Sequence, residues 1–122
     1  MKYEFPEMEQ LALDFKKNQK VLTAVGDETR QYLLMIMMQS DSSGSRVIDI
    51  AENSSLSRPA ISHHMQILKN AGIVKSRKEG RYIYYYLDPS ASYIDNLIDL
   101  LKKVKEMVKF CPERTSEDIE EF

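Results

Sequence analysis

Ser57-Arg-Pro-Ala-Ile-Ser-His-His-Met-Gln-Ile-Leu-Lys-Asn-Ala-Gly-Ile-Val74 is followed directly by Lys75-Ser-Arg-Lys-Glu-Gly-Arg-Tyr-Ile-Tyr-Tyr-Tyr-Leu87. The first stretch predicts a helix, because it opens on a serine that can cap a helix, tolerates proline in the first turn and reaches Gly72, where a helix can end. The second stretch has a strand-like pattern around a turn at Glu79-Gly80, which predicts a β-hairpin. A helix followed by a basic hairpin is typical of a winged helix-turn-helix, a structure that recognises duplex DNA.

The predicted helix has two different faces. Ile61, His64, Met65 and Leu68 recur at spacings of three and four, so they predict the side that packs in the core. The other sides are polar or small, as expected of a helix that meets base edges in the major groove. We predict DNA contacts by Ser57, Arg58, Pro59, Ser62, His63, Gln66 and Lys69.

Arg58 is the main candidate for sequence recognition. Its guanidinium can donate two hydrogen bonds to O6 and N7 of guanine, and the alternative is a phosphate contact that carries no sequence information. We predict that His63 donates to a phosphate or a base, whereas His64, on the apolar side, is structural. The two histidines do not suit a shared metal ion, because adjacent helical residues point about 100° apart.

Three cations flank the tip of the predicted hairpin, namely Arg77, Lys78 and Arg81. Cations on a protruding turn suit an adjacent minor groove or the phosphate backbone, so we predict that all three contact DNA. Residues 82–87 alternate between two faces of a strand. We expect their tyrosines to pack in the sheet rather than to stack on bases.

The charge of the chain is unevenly distributed. The whole sequence has a formal net charge of −2, which taken alone argues against a general nucleic-acid binder. Residues 55–87, however, carry six Lys or Arg against one Asp or Glu, a net of +5, while residues 1–54 carry six against nine and residues 88–122 five against nine. The positive charge therefore lies where phosphate contacts are predicted; the alternative is chance clustering on a solvated surface.

The remaining sequence is predicted to be mostly helical. Apolar spacing predicts a first helix around Met8–Phe15, and Val21–Val25 either continues it or forms a short second helix. Asp27 can cap a further helix through Met38 that is apolar nearly all round and therefore central in the core. Residues 41–45 are a loop by composition, and a short helix follows at residues 47–51.

A last helix is predicted from about Ser90 to Phe110. It carries two apolar stripes side by side. A helix that packs only on its own domain needs one stripe, so the double width predicts a helix shared with another subunit; the alternative is a helix buried deep in its own fold. The first stripe consists of Tyr93, Leu97, Leu100, Val104 and Met107. The second stripe consists of Ile94, Ile98, Leu101 and Val108.

Several other classes of protein are not expected. No apolar run approaches the roughly 20 residues that span a bilayer, and residues 1–7 do not resemble a secretory signal. A single cysteine, Cys111, rules out an internal disulfide and fits a reducing cytoplasm, where we expect the protein to act. Without a glycine-rich phosphate loop or a nucleophile–base pair, we expect neither an enzyme nor a cofactor.

Three motifs in order resemble the ArsR/SmtB family of bacterial winged-helix regulators. Leu56–Val74 resembles its recognition-helix motif, Arg77–Tyr82 resembles its wing, and Ala24–Arg30 is similar to one of its helix openings, with Glu28 where proline is common. The likeness covers about residues 20–110. It implies a homodimer that binds an imperfect palindrome in double-stranded DNA and usually represses transcription.

The resemblance also implies that the first and last helices join the two subunits. The predicted fold is therefore mainly α with a two-stranded β-hairpin, a winged helix-turn-helix of about five helices plus the wing. One DNA-binding and dimerisation domain covers residues 1–110, and residues 111–122 are predicted to be an acidic, mobile tail. The predicted interface consists of Leu11, Phe15, Tyr93, Leu97, Leu100, Val104 and Met107.

Metal sensing, the property for which the family is best known, is not expected at its usual positions. Thiolate sensors carry Cys-x-Cys where this chain has Arg46 and Ile48, and zinc-type members carry Asp-x-His where it has Asp95 and Leu97. The essential donor atoms are missing from both positions, so no metal site is predicted. We expect Cys111 to be idle, with a redox-responsive thiol as the alternative.

The sequence therefore predicts a dimeric, DNA-binding transcriptional regulator, most often a repressor in this family, with an unassigned effector. One alternative is a winged-helix module that contacts proteins instead of DNA, against which the positive segment and Arg58 argue. The other is a redox-responsive regulator that uses Cys111.

Overall fold

The computed structural model describes residues 7–113. Its elements in chain order are α1 (Met8–Lys17), α2 (Gln19–Val25), α3 (Glu28–Gln39), α4 (Val47–Glu52), α5 (Arg58–Asn70), β1 (Val74–Glu79), β2 (Tyr82–Leu87) and α6 (Ser92–Lys109). The predicted winged helix-turn-helix is confirmed, with α4 and α5 as its two helices and the β1–β2 hairpin as its wing. Most of the predicted tail, residues 114–122, lies outside the described residues. No helix within residues 7–113 is both long and apolar enough to cross a membrane.

Asn18 separates the first two helices. It is 7% exposed, and its side-chain amide donates to the carbonyl oxygen of Asp14 at 2.8 Å. This bond satisfies a carbonyl in the last turn of α1. Of the two possibilities left open by the sequence, Val21–Val25 therefore belongs to a separate second helix.

The third helix begins as predicted but is less central than predicted. The carboxylate of Asp27 accepts a hydrogen bond from the backbone N–H of Arg30 at 3.0 Å, which caps the helix. Leu33 is fully buried, but Met35 and Met38 are 57% and 65% exposed. Because α2, α4 and β2 leave part of this helix uncovered, some of its apolar residues face the surface.

The apolar side of α5 lies in the core, as its spacing predicts. Ile61, Met65 and Leu68 are fully buried and pack in one cluster with Leu33 of α3 and Ile50 of α4. Burial of one such side chain contributes about 1.5–3 kcal/mol. Because three buried side chains lie on one side of α5, the opposite, polar side of the helix is held toward the solvent.

The two strands pair antiparallel in a register that places Glu79 opposite Tyr82. Gly80 and Arg81 therefore form the hairpin loop, one residue later than predicted. The φ angle of Gly80 is +60°, which a residue with a side chain adopts only at a cost. A glycine at the first loop position is typical of a tight two-residue hairpin.

The last helix begins at Ser92, two residues later than predicted. The carboxylate of Asp88 accepts a hydrogen bond from the backbone N–H of Ser90 at 3.0 Å, which makes a turn before the helix. Ala91 follows with a left-handed φ of +51°. The turn and this residue redirect the chain from β2 into α6.

The residues of α1 and α6 that are predicted to form the subunit interface differ in how much surface they expose. The two helices contact each other within one protomer, and Leu11 and Leu100 are only 5% and 1% exposed. These two side chains have almost no surface left for a partner subunit. Tyr93 and Leu97 also pack against the core of their own protomer.

The first stripe of α6 thus faces inward and the second faces outward. Val104 and Met107, which complete the first stripe, are half-buried. Phe15 of α1, by contrast, is 47% exposed. The residues of the second stripe are all between 41% and 59% exposed, namely Ile94, Ile98, Leu101 and Val108. Neighbouring stripes look alike in sequence, and the packing of α6 on the core and on α1 decides which one is covered.

A charged group joins α1 to α6. The ammonium of Lys103 lies 2.8 Å from Oδ2 of Asp14 and 3.1 Å from Oδ2 of Asp99. Hydrogen bonds from Lys103 and then Gln10 lower the pKa of the Asp14 carboxyl, and the bonds to Asp14 and then Asp99 raise the pKa of Lys103. Both shifts favour the charged forms, so the two helices are linked by a charged pair at neutral pH.

Candidate nucleic-acid interface

The polar face of α5 begins at its N-cap. The hydroxyl of Ser57 accepts a hydrogen bond from the backbone N–H of Ala60 at 3.3 Å, which satisfies one of the unpaired donors at the helix start. All seven side chains predicted on this helix to contact DNA are exposed, namely Ser57, Arg58, Pro59, Ser62, His63, Gln66 and Lys69.

Some hydrogen-bond donors on this face already have partners within the described part of the protomer, and others do not. Arg58 makes no hydrogen bond or ion pair within residues 7–113, so its guanidinium donors face solvent. Gln66 donates from Nε2 to Oδ1 of Asn70 at 3.0 Å. The first turn of α5 therefore offers its strongest free donor at Arg58.

His64 belongs to a partly buried network. Nη1 of Arg30 lies 3.3 Å from Nδ1 of His64. A guanidinium has only donors, so Nδ1 of His64 is the acceptor in this contact.

Arg30 itself was named from the sequence only as part of a helix-opening motif. It is 9% exposed and donates to the carbonyl oxygens of Ala24 at 2.7 Å and Thr23 at 3.2 Å. These carbonyls lie at the end of α2. One arginine side chain therefore connects α2 and the start of α3 to the recognition helix through His64.

Arg77 is the wing cation that neighbouring groups of the protomer partly cover. Its side chain is 35% exposed and its Nε lies 2.9 Å from Oε1 of Glu79. Its Nη1 donates to the carbonyl oxygen of Ser43, and its guanidinium carbon lies 4.9 Å from the centre of the Tyr84 ring. The pairing of Arg77 with Tyr84 across the hairpin explains this position. Two of the three guanidinium nitrogens of Arg77 are therefore engaged within the protomer, and its contact with DNA stays a prediction.

The other two wing cations, Lys78 and Arg81, are exposed. Arg81 donates to the hydroxyl of Tyr82 at 3.2 Å, and its guanidinium carbon lies 5.3 Å from the centre of that ring. Arg46, just before α4, lies 5.0 Å from the same ring centre and pairs with Asp49 at 3.1 Å. The sequence contains no signal for this contact of Arg46, because no local spacing connects Arg46 to the distant wing.

Comparison with known proteins identifies the family. Residues 27–76, from the cap of α3 into β1, match the model of the bacterial regulatory protein arsR family. An HTH-type transcriptional regulator of Methanocaldococcus jannaschii is 39% identical over 88 residues, which cover 71% of this chain and 97% of that protein. The chain belongs to the ArsR family.

A further relative and a solved structure are also similar to this chain, and the solved structure shows the same fold. The transcriptional repressor SdpR of Bacillus subtilis is 38% identical over 68 residues, which cover 56% of this chain and 72% of SdpR. The structure of an ArsR-like transcriptional regulator from a Rhodococcus species has a TM-score of 0.66 at 24% identity and covers 78% of this chain and 83% of its own. ArsR-family proteins are DNA-binding transcriptional regulators, not enzymes, and typically bind DNA as homodimers.

The structure shows the surroundings of the side chains at the positions for which the resemblance implies metal ligands. Arg46 is paired with Asp49, Ile48 is half-buried and Leu97 packs on the core. Within residues 7–113, no three His, Cys, Asp or Glu side chains are grouped so that they could hold a metal ion. Cys111 is exposed at the end of α6.

Proposed function

We propose that this ArsR-family protein is a dimeric transcriptional repressor that binds an imperfect palindrome in double-stranded DNA. In each half-site, α5 enters the major groove, and the wing contacts the neighbouring backbone or minor groove. The observation that carries the proposal is the exposed polar face of α5 beside two exposed wing cations. This face and these cations belong to the segment of net charge +5, between two negatively charged flanks.

We assign different roles to the exposed cations. Arg58, at the start of α5 and without a partner within residues 7–113, is the candidate for recognition of guanine. Lys69, Lys78 and Arg81 are candidates for phosphate contacts, which position the protein without selecting a sequence. The remaining candidates for base or phosphate contact are Ser57, Pro59, Ser62, His63 and Gln66.

We assign the subunit interface to the exposed stripe of α6 together with Phe15 of α1. Burial of this apolar surface is favourable by about 25 cal/mol per Å², and half-buried Val104 and Met107 lie at its edge. A dimeric reader of this kind spaces its half-sites about one helical turn apart, roughly 34 Å. The domain that binds DNA and dimerises covers residues 1–110. We propose that the protein acts in the cytoplasm.

The proposal of repression is supported by the similarity to SdpR, a repressor. The side chains at the two metal-sensing positions support a regulator that does not sense metal there. Arg46 and Leu97 are engaged within the protomer, and neither offers a donor atom that transition metals prefer. The proposal assigns no effector.

Arg58→Ala is expected to relax the choice of one base pair in each half-site by roughly 1–3 kcal/mol, because a bidentate contact with guanine is lost. The matched change Lys78→Ala removes a cation from the wing and is expected to weaken binding to all sequences alike. The measurement is selection of bound duplexes from a random pool, followed by titration of the best duplex and its single-base variants. If Arg58→Ala weakens all duplexes equally, Arg58 is a phosphate contact and the assigned role is wrong.

A further inference from the structure

We infer that Arg77 is a positioning residue for DNA binding. It fastens the loop between α3 and α4, residues 40–46, to the wing and so determines where Lys78 and Arg81 meet DNA. This inference rests on the proposed DNA-binding function. It gives a structural role to a residue that sequence analysis assigned to direct DNA contact.

The α3–α4 loop lies against the wing like a short third strand. Ser45 and Tyr85 exchange both backbone hydrogen bonds, each with an N···O distance of 2.8 Å, and Ser45 is 8% exposed. The carboxylate of Asp41 accepts from the backbone N–H of Ser43 at 2.9 Å. The loop is therefore ordered by its own bonds, with the Ser43 carbonyl directed to Arg77.

Arg77 uses both the edge and the face of its guanidinium. The edge donates to the Ser43 carbonyl and to Glu79, while the guanidinium carbon lies 4.9 Å from the Tyr84 ring centre and 5.8 Å from that of Tyr86. Only arginine combines planar donors with stacking on aromatic rings. These bonds use Nε and Nη1 of Arg77, and Nη2 makes no hydrogen bond within residues 7–113.

Gly44 allows the loop to approach this closely. Its φ is +129°, and a Cβ atom built there would lie 3.0 Å from Nη1 of Arg77, 3.1 Å from Cβ of Tyr84 and 3.3 Å from the carbonyl oxygen of Tyr85. A side chain at position 44 is therefore strained at this φ and requires Arg77, Tyr84 or the loop itself to shift by a few tenths of an ångström. The change Gly44→Ala disturbs the contact without removing any charge.

The test is titration of a selected duplex at several salt concentrations. We expect Arg77→Met and Gly44→Ala each to weaken binding about tenfold and to lower the slope of log affinity against log salt, because displaced wing cations release fewer counterions. In a Lys78→Met/Arg81→Met background, neither change should weaken binding further. Ser42→Ala, in the exposed part of the same loop, is the matched control and should bind like the parent.

Thermal melting shows whether a variant is partly unfolded. Partial unfolding lowers the apparent affinity for DNA but leaves the slope of log affinity against log salt unchanged, so it is distinguished from the proposed role of Arg77. The inference is overturned if Arg77→Met lowers the slope by about 0.9 per subunit in both backgrounds, because that result identifies a direct phosphate contact. It is also overturned if Gly44→Ala folds and binds like the parent. If Gly44→Ala does not fold, the comparison of Arg77→Met in the two backgrounds still distinguishes a positioning role of Arg77 from a direct phosphate contact. If the parent protein binds no duplex, the proposed function itself is wrong.

Discussion

A protein carrying Ile98→Glu and Leu101→Glu is expected to be a folded monomer that binds its palindrome at least about 100-fold more weakly than the parent. Both side chains are exposed in the protomer, at 46% and 59%, so the substitutions do not disturb its core. In the proposed dimer they place four carboxylates in an apolar interface, where burial of unpaired charge is strongly unfavourable. A monomer has one recognition helix, and loss of the linked second site typically lowers affinity about 10²–10⁴-fold.

Sedimentation gives the mass of this variant, circular dichroism its helix content, and titration of the full palindrome its affinity. Lys102→Glu is the control, because it makes the same total change in charge as the double variant at an exposed position of the same helix. This control should remain dimeric. A double variant that stays dimeric and binds like the parent would show that the exposed stripe of α6 is not the interface.

Arg30→Met is expected to lower the free energy of unfolding by about 3 kcal/mol. The substitution leaves the carbonyl oxygens of Ala24 and Thr23 without their charged donor, and hydrogen bonds to charged groups contribute roughly 1.5–3 kcal/mol each. It also removes the partner of His64 on the recognition helix. For a chain of this size, such a loss lowers the melting temperature by roughly 10 °C.

Chemical denaturation and thermal melting measure this effect. Gln31→Met is the matched control, because Gln31 also donates to a carbonyl at the end of α2, that of Val25 at 2.6 Å, but from an exposed position. Its loss should cost less than about 0.5 kcal/mol. If Arg30→Met has the same melting temperature as Gln31→Met, the network around Arg30 does not hold the helices together.

The recognition helix and the wing could be predicted because their signals are local. Ser57 caps α5, and the spacing of Ile61, Met65 and Leu68 gives its buried side without knowledge of any other helix. The strand pattern of residues 82–87 likewise depends only on the pleat of a strand. Each of these signals follows from the geometry of one element.

The interface and the wing contacts could not be predicted in the same way. Leu100 and Leu101 are adjacent and both apolar, and only the packing of α1 buries the first and exposes the second. Arg77 and Arg81 are alike in sequence, and only the return of the α3–α4 loop to the wing distinguishes them. Both outcomes depend on contacts between distant parts of the chain.

The most direct measurement is titration of the parent protein with the selected palindrome and with one isolated half-site at increasing salt. We expect log affinity to fall linearly with log salt, with a slope of several units, and the palindrome to bind at least about 100-fold more tightly than the half-site. Failure to bind any duplex even at about 50 mM salt would contradict DNA recognition. Equal binding of the palindrome and the half-site would contradict recognition by a dimer.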